Sequence, residues 1–91
     1  MAWFIKIERG IVDKAIFDQY VPAHKAYVQQ LNEQGHQART GYWRDSPGGM
    51  LFFRAETKEA ATQLVEADPL IANHCVEYDL HEWVQVSGEP L

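Results

Sequence analysis

Cysteine is nearly absent from this chain of 91 residues, which contains only Cys75. One thiol cannot form an intrachain disulfide, and it does not supply the thiolate pair of a structural zinc site. His74, Glu77 and His81 carry atoms that can bind a metal, but they follow no recognised ligand spacing. We therefore expect no metal and no other cofactor, and we expect Cys75 to be a small buried hydrophobic residue.

Long apolar runs and clusters of basic residues are missing as well. The opening stretch MAWFIKIERG meets Lys6 and Glu8 almost at once, so it predicts neither a signal peptide nor a membrane span. Eight basic residues stand against thirteen acidic ones, for a formal net charge of -5, and the basic residues are scattered. We expect a cytoplasmic protein with no membrane partner and no nucleic-acid partner.

The composition that remains is typical of a small globular protein. Hydrophobic residues make up 46% and charged residues 23% of the sequence. We expect a single domain over residues 1–91. A chain this short buries a modest fraction of its surface, so association with a second copy would be a natural source of further burial.

The first half of the sequence predicts a strand and then a helix. AWFIKIE alternates with the period of two residues that a strand requires. Asp13 is a plausible N-cap for the helical pattern that follows, and Pro22 predicts a break or bend near Val21. Gly35 is suited to the C-terminal cap of this helix.

The second half predicts a hairpin, a second helix and a last strand. HQARTGYWRD and MLFFRA read as two strands joined by a turn at SPGG. TKEAATQLVEAD is an amphipathic helix with Thr57 as its N-cap, DPLIANH is a short connector, and CVEYDLHEWVQV alternates as a long strand.

This order of elements, βαββαβ, predicts an α+β fold of the ferredoxin-like type. Such a fold has an antiparallel sheet with two helices on one face. Large apolar residues occupy both sets of strand positions, with Trp3 beside Phe4 and Phe52 beside Phe53. We therefore expect the uncovered sheet face to pack against a second copy in a homodimer.

His24 and Asp68 are the candidate catalytic residues. His24 interrupts an apolar helix face, where a hydrogen-bonded core histidine is the commoner interpretation. Asp68 precedes Pro69, where it is suited to cap the next turn. Because both helices lie on one sheet face, Asp68 can come beside His24, and a carboxylate beside an imidazole favours the protonated ring and suits it to proton transfer.

Three tyrosines are the candidate substrate-binding residues. Tyr20 and Tyr27 share the helix face of His24. Tyr42 lies in the predicted hairpin with Arg39 and Arg44, from which all three can reach a substrate, although exposed residues of an edge strand are the commoner case.

The segments PAHKAYVQQLNEQG, RTG, GGMLFFRAETKEAATQLVEADPLI and VEYDLHEW together resemble the YCII family, also called the YciI-like proteins. The resemblance covers nearly the whole chain. It implies a dimeric α+β barrel with a proposed His and Asp active site between helix and sheet, which falls on His24 and Asp68. Two departures are Val21, where many members carry Arg, and the stretch 72–74, where the family favours Gly.

The chemistry implied by the family is sparse. Loss of hydrogen chloride from a chlorinated, hydroxylated ring has been attributed to one member, and most members have no known substrate. We expect a cofactor-independent enzyme of the lyase or isomerase type acting on a small organic, perhaps aromatic, substrate. The alternatives are a dimer that binds or senses a small molecule without turning it over, and a structural dimer. Muconolactone isomerase and the antibiotic-biosynthesis monooxygenases have similar barrels. A resemblance to them accounts less well for the Asp68-Pro69 sequence than the resemblance to the YCII family does.

Overall fold

The computed structural model describes residues 1–91 and contains four strands and three helices. The strands are β1 (Ala2–Gly10), β2 (Arg39–Tyr42), β3 (Gly49–Ala55) and β4 (Val76–Trp83), and the helices are α1 (Lys14–Glu33), α2 (Lys58–Glu66) and α3 (Pro69–Ala72). The predicted α+β, ferredoxin-like fold is confirmed. The short helix α3 is an addition, since it lies where only a connector was expected. No helix is long and apolar enough to cross a membrane.

The four strands form one antiparallel sheet in the order β2-β3-β1-β4. The first and last strands of the chain, β1 and β4, are neighbours. β1 lies in the interior of the sheet, and β4 forms one of its edges. The register places Phe4 of β1 opposite Phe53 of β3 and Glu82 of β4. Residues of even number in β1 therefore share a face with residues of odd number in β3.

The hydrophobic core lies between this sheet face and the helices. Phe4, Phe53 and Leu51 contribute from the strands and are at most 1% exposed. The helices contribute further buried side chains, namely Val28, Leu31, Ala61 and Val65. A smaller buried cluster of Leu70, Cys75 and Val76 lies under α3. The expected burial of Cys75 is confirmed.

The opposite sheet face carries no helix and is rich in aromatic side chains. Trp3 stacks on Phe52 with ring centroids 4.8 Å apart, and Phe52 meets the edge of Trp83 at 5.7 Å. Arg39 and Arg54 lie over the Trp3 ring at 5.5 and 5.9 Å. We call this surface the open face and define it by Trp3, Ile5, Ile7, Met50, Phe52 and Trp83.

The predicted break near Val21 is wrong, because α1 runs without interruption through Pro22. Pro22 is exposed, so its ring meets solvent rather than the core, and its missing N–H removes one hydrogen bond of the helix. His24, Val28 and Leu31 are buried farther along the same helix, and their packing fixes its direction past the proline.

The ends of the elements confirm some predicted caps and correct others. Gly35 has a φ of 87° and forms a Schellman cap with His36, whose N–H donates to the Leu31 carbonyl. Asp13 occupies the N-cap position of α1, but its side chain makes no capping hydrogen bond. The last strand ends at Trp83, three residues earlier than predicted, because Trp83 pairs with Trp3 at the start of β1 and little strand remains to pair with later residues.

Thr57 and Asp13 offer a matched test of helix capping. The Thr57 hydroxyl accepts the Ala60 N–H at 3.0 Å, so Thr57→Ala should lower the free energy of unfolding by about 1 kcal/mol. Asp13→Ala removes only a charge near the helix N-terminus and should cost a few tenths of a kcal/mol. Urea unfolding of the two variants measures both values, and equal losses would contradict the assigned caps.

Candidate functional site

Asp68 is placed by the turn between α2 and α3. It is the N-cap of α3, its Oδ1 atom accepts the Leu70 N–H at 3.0 Å, and Pro69 occupies the first helical position. The expected capping role of Asp68 is therefore seen in the structure. The same carboxylate is fully buried and points toward α1.

His24 meets Asp68 from α1. Its Nδ1 atom lies 2.8 Å from Oδ2 and 3.0 Å from Oδ1 of Asp68, and its Nε2 atom lies 3.0 Å from the Thr40 hydroxyl. His24 is 6% exposed. An ionised carboxylate only accepts hydrogen bonds, so Nδ1 donates to Asp68 and the neutral ring presents the lone pair of Nε2 to Thr40.

Lys6 is the third member of this group, and the sequence analysis did not find it. Lys6 is fully buried in β1, with its Nζ atom 3.4 Å from Oδ2 of Asp68 and 3.1 Å from Oε2 of Glu8. The alternation of β1 was recognised, but it was not used to decide which face meets the helices. The alternate positions Trp3, Ile5 and Ile7 are the more apolar set of this strand, so the sequence carries no signal that places Lys6 in the core.

The electrostatics of the group keep Asp68 charged. Burial alone would raise the pKa of Asp68, but the hydrogen bond from His24, the charges of Lys6 and His24 and the Leu70 N–H together bring this pKa below its usual value. The pKa of Tyr27 is raised, first by burial and then by the negative charge of Asp68.

The three tyrosines predicted to bind substrate lie at different distances from this pair. Tyr27 donates its hydroxyl hydrogen bond to the Leu64 carbonyl at 2.7 Å, and Tyr20 packs against the cluster under α3. Tyr42 ends β2 on the face of Thr40 and is 85% exposed. None of the three hydrogen-bonds to His24 or Asp68, and their role in binding stays a prediction.

Two open grooves lie away from the pair. One, of about 440 Å³, runs beside α3 and is lined by Glu66, Ile71, Ala72, His74, Val76, Glu77 and Tyr78. The other, of about 470 Å³, lies at the turn between β2 and β3 and is lined by Ile7, Glu8, Arg9, Trp43, Pro47, Glu77, Tyr78 and Asp79. Glu8 connects the second groove with Lys6. No group of three or more His, Cys, Asp or Glu side chains is arranged to hold a metal ion.

The arrangement is chemically suited to move one proton. Asp68 holds Nδ1 of His24, so the free nitrogen Nε2 is the one that can accept or donate a proton. Nε2 points to Thr40 on β2, an exposed residue of an edge strand. A ligand that displaces the Thr40 hydroxyl would meet Nε2 directly.

Comparison with known proteins finds relatives of the fold. No protein-family model matches the chain. The uncharacterised protein YjpA of Bacillus subtilis (strain 168) is 28% identical over 65 residues, which cover 71% of this chain and 76% of YjpA. The structure also resembles the 5-chloro-2-hydroxyhydroquinone dehydrochlorinase TftG from Burkholderia phenoliruptrix AC1100 in complex with 2,5-dihydroxybenzoquinone. The TM-score is 0.69 at 19% identity, over 90% of this chain and 93% of TftG. The chain and TftG share a fold.

The lowered pKa of Asp68 predicts how stability depends on pH. Asp68 contributes stability that is present above its unfolded pKa of about 3.9 and is lost as the pH falls through its lower folded value. Asp68→Asn keeps a good N-cap but leaves Lys6 with less compensation, so it should cost on the order of 3 kcal/mol at neutral pH.

Denaturant unfolding of both proteins from pH 7 down to pH 2 measures this difference. The stability gap between the two proteins should narrow as the pH falls below about 4, because the advantage of the ionised Asp68 disappears there. A gap that stays constant over this range would contradict the charged state of Asp68.

Proposed function

We propose that the chain is a member of the YCII family, a single domain over residues 1–91, and a small cofactor-independent enzyme in which His24 and Asp68 perform acid-base chemistry. The observation that carries the proposal is the buried contact at 2.8 Å between Nδ1 of His24 and Oδ2 of Asp68, with Nε2 directed to an exposed edge strand. A buried imidazole that is oriented by a carboxylate is one arrangement that serves general acid-base catalysis.

His24 acts as the general base in this proposal. Nε2 takes a proton from the substrate, the ring becomes an imidazolium, and Asp68 stabilises its positive charge. In an elimination, the electron pair of the broken bond to hydrogen forms a new π bond while the leaving group departs with its own bonding pair. In an isomerisation, the imidazolium returns the proton to another atom of the substrate.

The proposed substrate is a small organic, possibly aromatic, molecule. The fold is shared with a dehydrochlorinase that was solved with 2,5-dihydroxybenzoquinone bound, which supports a ring-shaped ligand of this size. Tyr42 stands on the strand face of Thr40 and is free to contact such a ligand. Tyr20 and Tyr27 are proposed to shape the pocket from α1.

A non-catalytic dimer that binds or senses a small molecule is the second candidate. The contact between Nε2 of His24 and the Thr40 hydroxyl supports it, because a ligand hydroxyl could take the place of the Thr40 hydroxyl. In this case the pair would hydrogen-bond a ligand without transferring a proton to a reaction product.

We also propose a homodimer formed through the open face. This face exposes 42% of Ile7 and 42% of Trp83, and such an apolar patch is costly to leave in water. Basic and acidic side chains lie at diagonally opposite corners of this sheet face. Arg39 and Arg54 lie at the β2 and β3 side. Asp79 lies on β4 toward the opposite end, where Glu77 is already paired with Arg9 of β1. A two-fold axis along the other diagonal would place basic residues of one copy against acidic residues of the second.

Turnover by single and double variants tests the catalytic proposal. The purified protein is incubated with a panel of chlorinated and hydroxylated aromatics, and product formation is followed by mass spectrometry. His24→Gln and Asp68→Asn should each reduce turnover by at least about a hundredfold, and the double variant should lose little more, because members of one catalytic unit are not additive.

His36→Gln is the matched control, since His36 bonds to the Arg54 carbonyl and does not contact Asp68. It should retain turnover, and thermal melts establish that all variants are folded. Full activity in folded His24→Gln would end the catalytic proposal. Binding of a panel member without any chemical change would favour the sensing dimer.

The dimer is tested by sedimentation of a variant of the open face. Ile5→Glu places a charge at the centre of this face and should convert a dimer into a monomer, because an unpaired charge cannot be buried in an apolar interface. Lys25→Glu, on the exposed side of α1, should leave the dimer intact. A monomeric mass for the unmodified protein at all concentrations would contradict this interface.

A further inference from the structure

Lys6 is an unusual residue for the core of so small a protein. Its side chain is fully buried, and a lysine in such a place must be compensated because an isolated buried ammonium is costly. Two carboxylates supply the compensation, Asp68 at 3.4 Å and Glu8 at 3.1 Å. The proposed acid-base mechanism uses Asp68 but assigns nothing to Lys6 or Glu8.

The hydrogen bonding of Lys6 is directed at Asp68. Glu8 is the nearer carboxylate, yet its buried Oε2 atom makes no hydrogen bond, whereas Nζ of Lys6 donates to Oδ2 of Asp68. Lys6 therefore has two ion-pair partners, Glu8 at 3.1 Å and Asp68 at 3.4 Å. Asp68 is the partner that also holds His24.

The charges in the cluster add up in a way that involves His24. One cation, Lys6, faces two anions, Asp68 and Glu8, so the cluster carries one excess negative charge when His24 is neutral. The cluster becomes neutral when His24 takes up a proton. Without Lys6, the Glu8 and Asp68 carboxylates would lose the cation between them, and Asp68 would lose a neighbour that favours its ionised form.

The Asp68 carboxylate is held from three directions. The Leu70 N–H binds Oδ1, Lys6 binds Oδ2, and Nδ1 of His24 lies within 3.0 Å of both oxygens. These contacts come from α3, β1 and α1. Removing Lys6 frees Oδ2 from its only partner besides His24 and lets the carboxylate rotate about its remaining bonds.

We propose that Lys6 is a positioning residue, which holds the Asp68 carboxylate in its hydrogen bond with Nδ1 of His24 while Glu8 serves as the second counter-ion of the lysine. This inference rests on the proposed function, because a positioned imidazole matters most to proton transfer at Nε2. Tyr27 of α1 is a further titratable group, whose pKa is raised by burial and by the charge of Asp68, and it is neutral over the acidic range in which Asp68 titrates.

The test follows the Asp68 carboxyl carbon by NMR during an acid titration, and it requires no ligand. Lys6→Met removes the ammonium and keeps much of the apolar stem, so the titration midpoint of Asp68 should move to higher pH than in the unmodified protein. Glu8→Gln is the matched control. This variant removes a negative charge, and Asp68 becomes the remaining ion-pair partner of Lys6. The titration midpoint of Asp68 should therefore not rise.

A double variant covers the case in which Lys6→Met does not fold. Lys6→Met combined with Glu8→Gln removes one cation and one anion, and so keeps the charge sum of the cluster. Its Asp68 midpoint should still lie above that of Glu8→Gln. The proposal would be overturned if folded Lys6→Met had the same Asp68 midpoint as the unmodified protein. It would also be overturned if the double variant had the same Asp68 midpoint as Glu8→Gln alone.

Turnover, where the panel reveals it, supplies a second readout. The acid limb of the pH–rate profile should move to higher pH in Lys6→Met, whereas a merely structural lysine would lower the rate at all pH values alike. Absence of turnover in the unmodified protein would count against the proposed function and leave the carboxyl titration intact as the test of Lys6.

Discussion

The buried carboxylate of Asp68 is the constraint on which the rest of the site depends. It caps α3 through the Leu70 N–H, binds Nδ1 of His24 on α1, and accepts a hydrogen bond from Lys6 on β1. One side chain therefore joins a strand of the sheet to two helices. A fully buried carboxylate is tolerated because these donors replace the water that it loses.

Stability alone does not account for this group of charges. Replacing a buried ion pair by well-packed apolar side chains is often neutral or stabilising by about 1–4 kcal/mol. The core has few large buried side chains, and yet it includes Lys6, His24 and Asp68. Departures of this kind from an apolar core are expected where a protein needs chemistry or specificity, which is consistent with the proposed role of His24 in proton transfer.

Much of the fold followed from local patterns, and the exceptions have identifiable causes. The alternation of β1, the Thr57 cap and the Gly35 cap were visible in the sequence because each depends on neighbouring residues. The uninterrupted helix at Pro22 was not, because tertiary packing beyond the proline decides it. The meeting of His24 with Asp68 was anticipated from the layout of the fold, but their distances were not.

Lys6 shows the limit most clearly. A lysine in an alternating strand is ordinarily exposed, and neither Asp68 nor Glu8 marks it as buried, since Asp68 is far away in sequence. The contact depends on which face of β1 the helices cover. Thr40 escaped notice for the same reason, because its bond with Nε2 of His24 spans a helix and an edge strand.

The most direct test of the central claim is the tautomer of His24. Long-range proton–nitrogen NMR correlations of the labelled imidazole, recorded well above the ordinary histidine pKa of about 6.5, distinguish which ring nitrogen carries the hydrogen. The structure predicts hydrogen on Nδ1, held by Asp68, and a bare Nε2. Hydrogen on Nε2, with Nδ1 bare beside the carboxylate, would contradict the account.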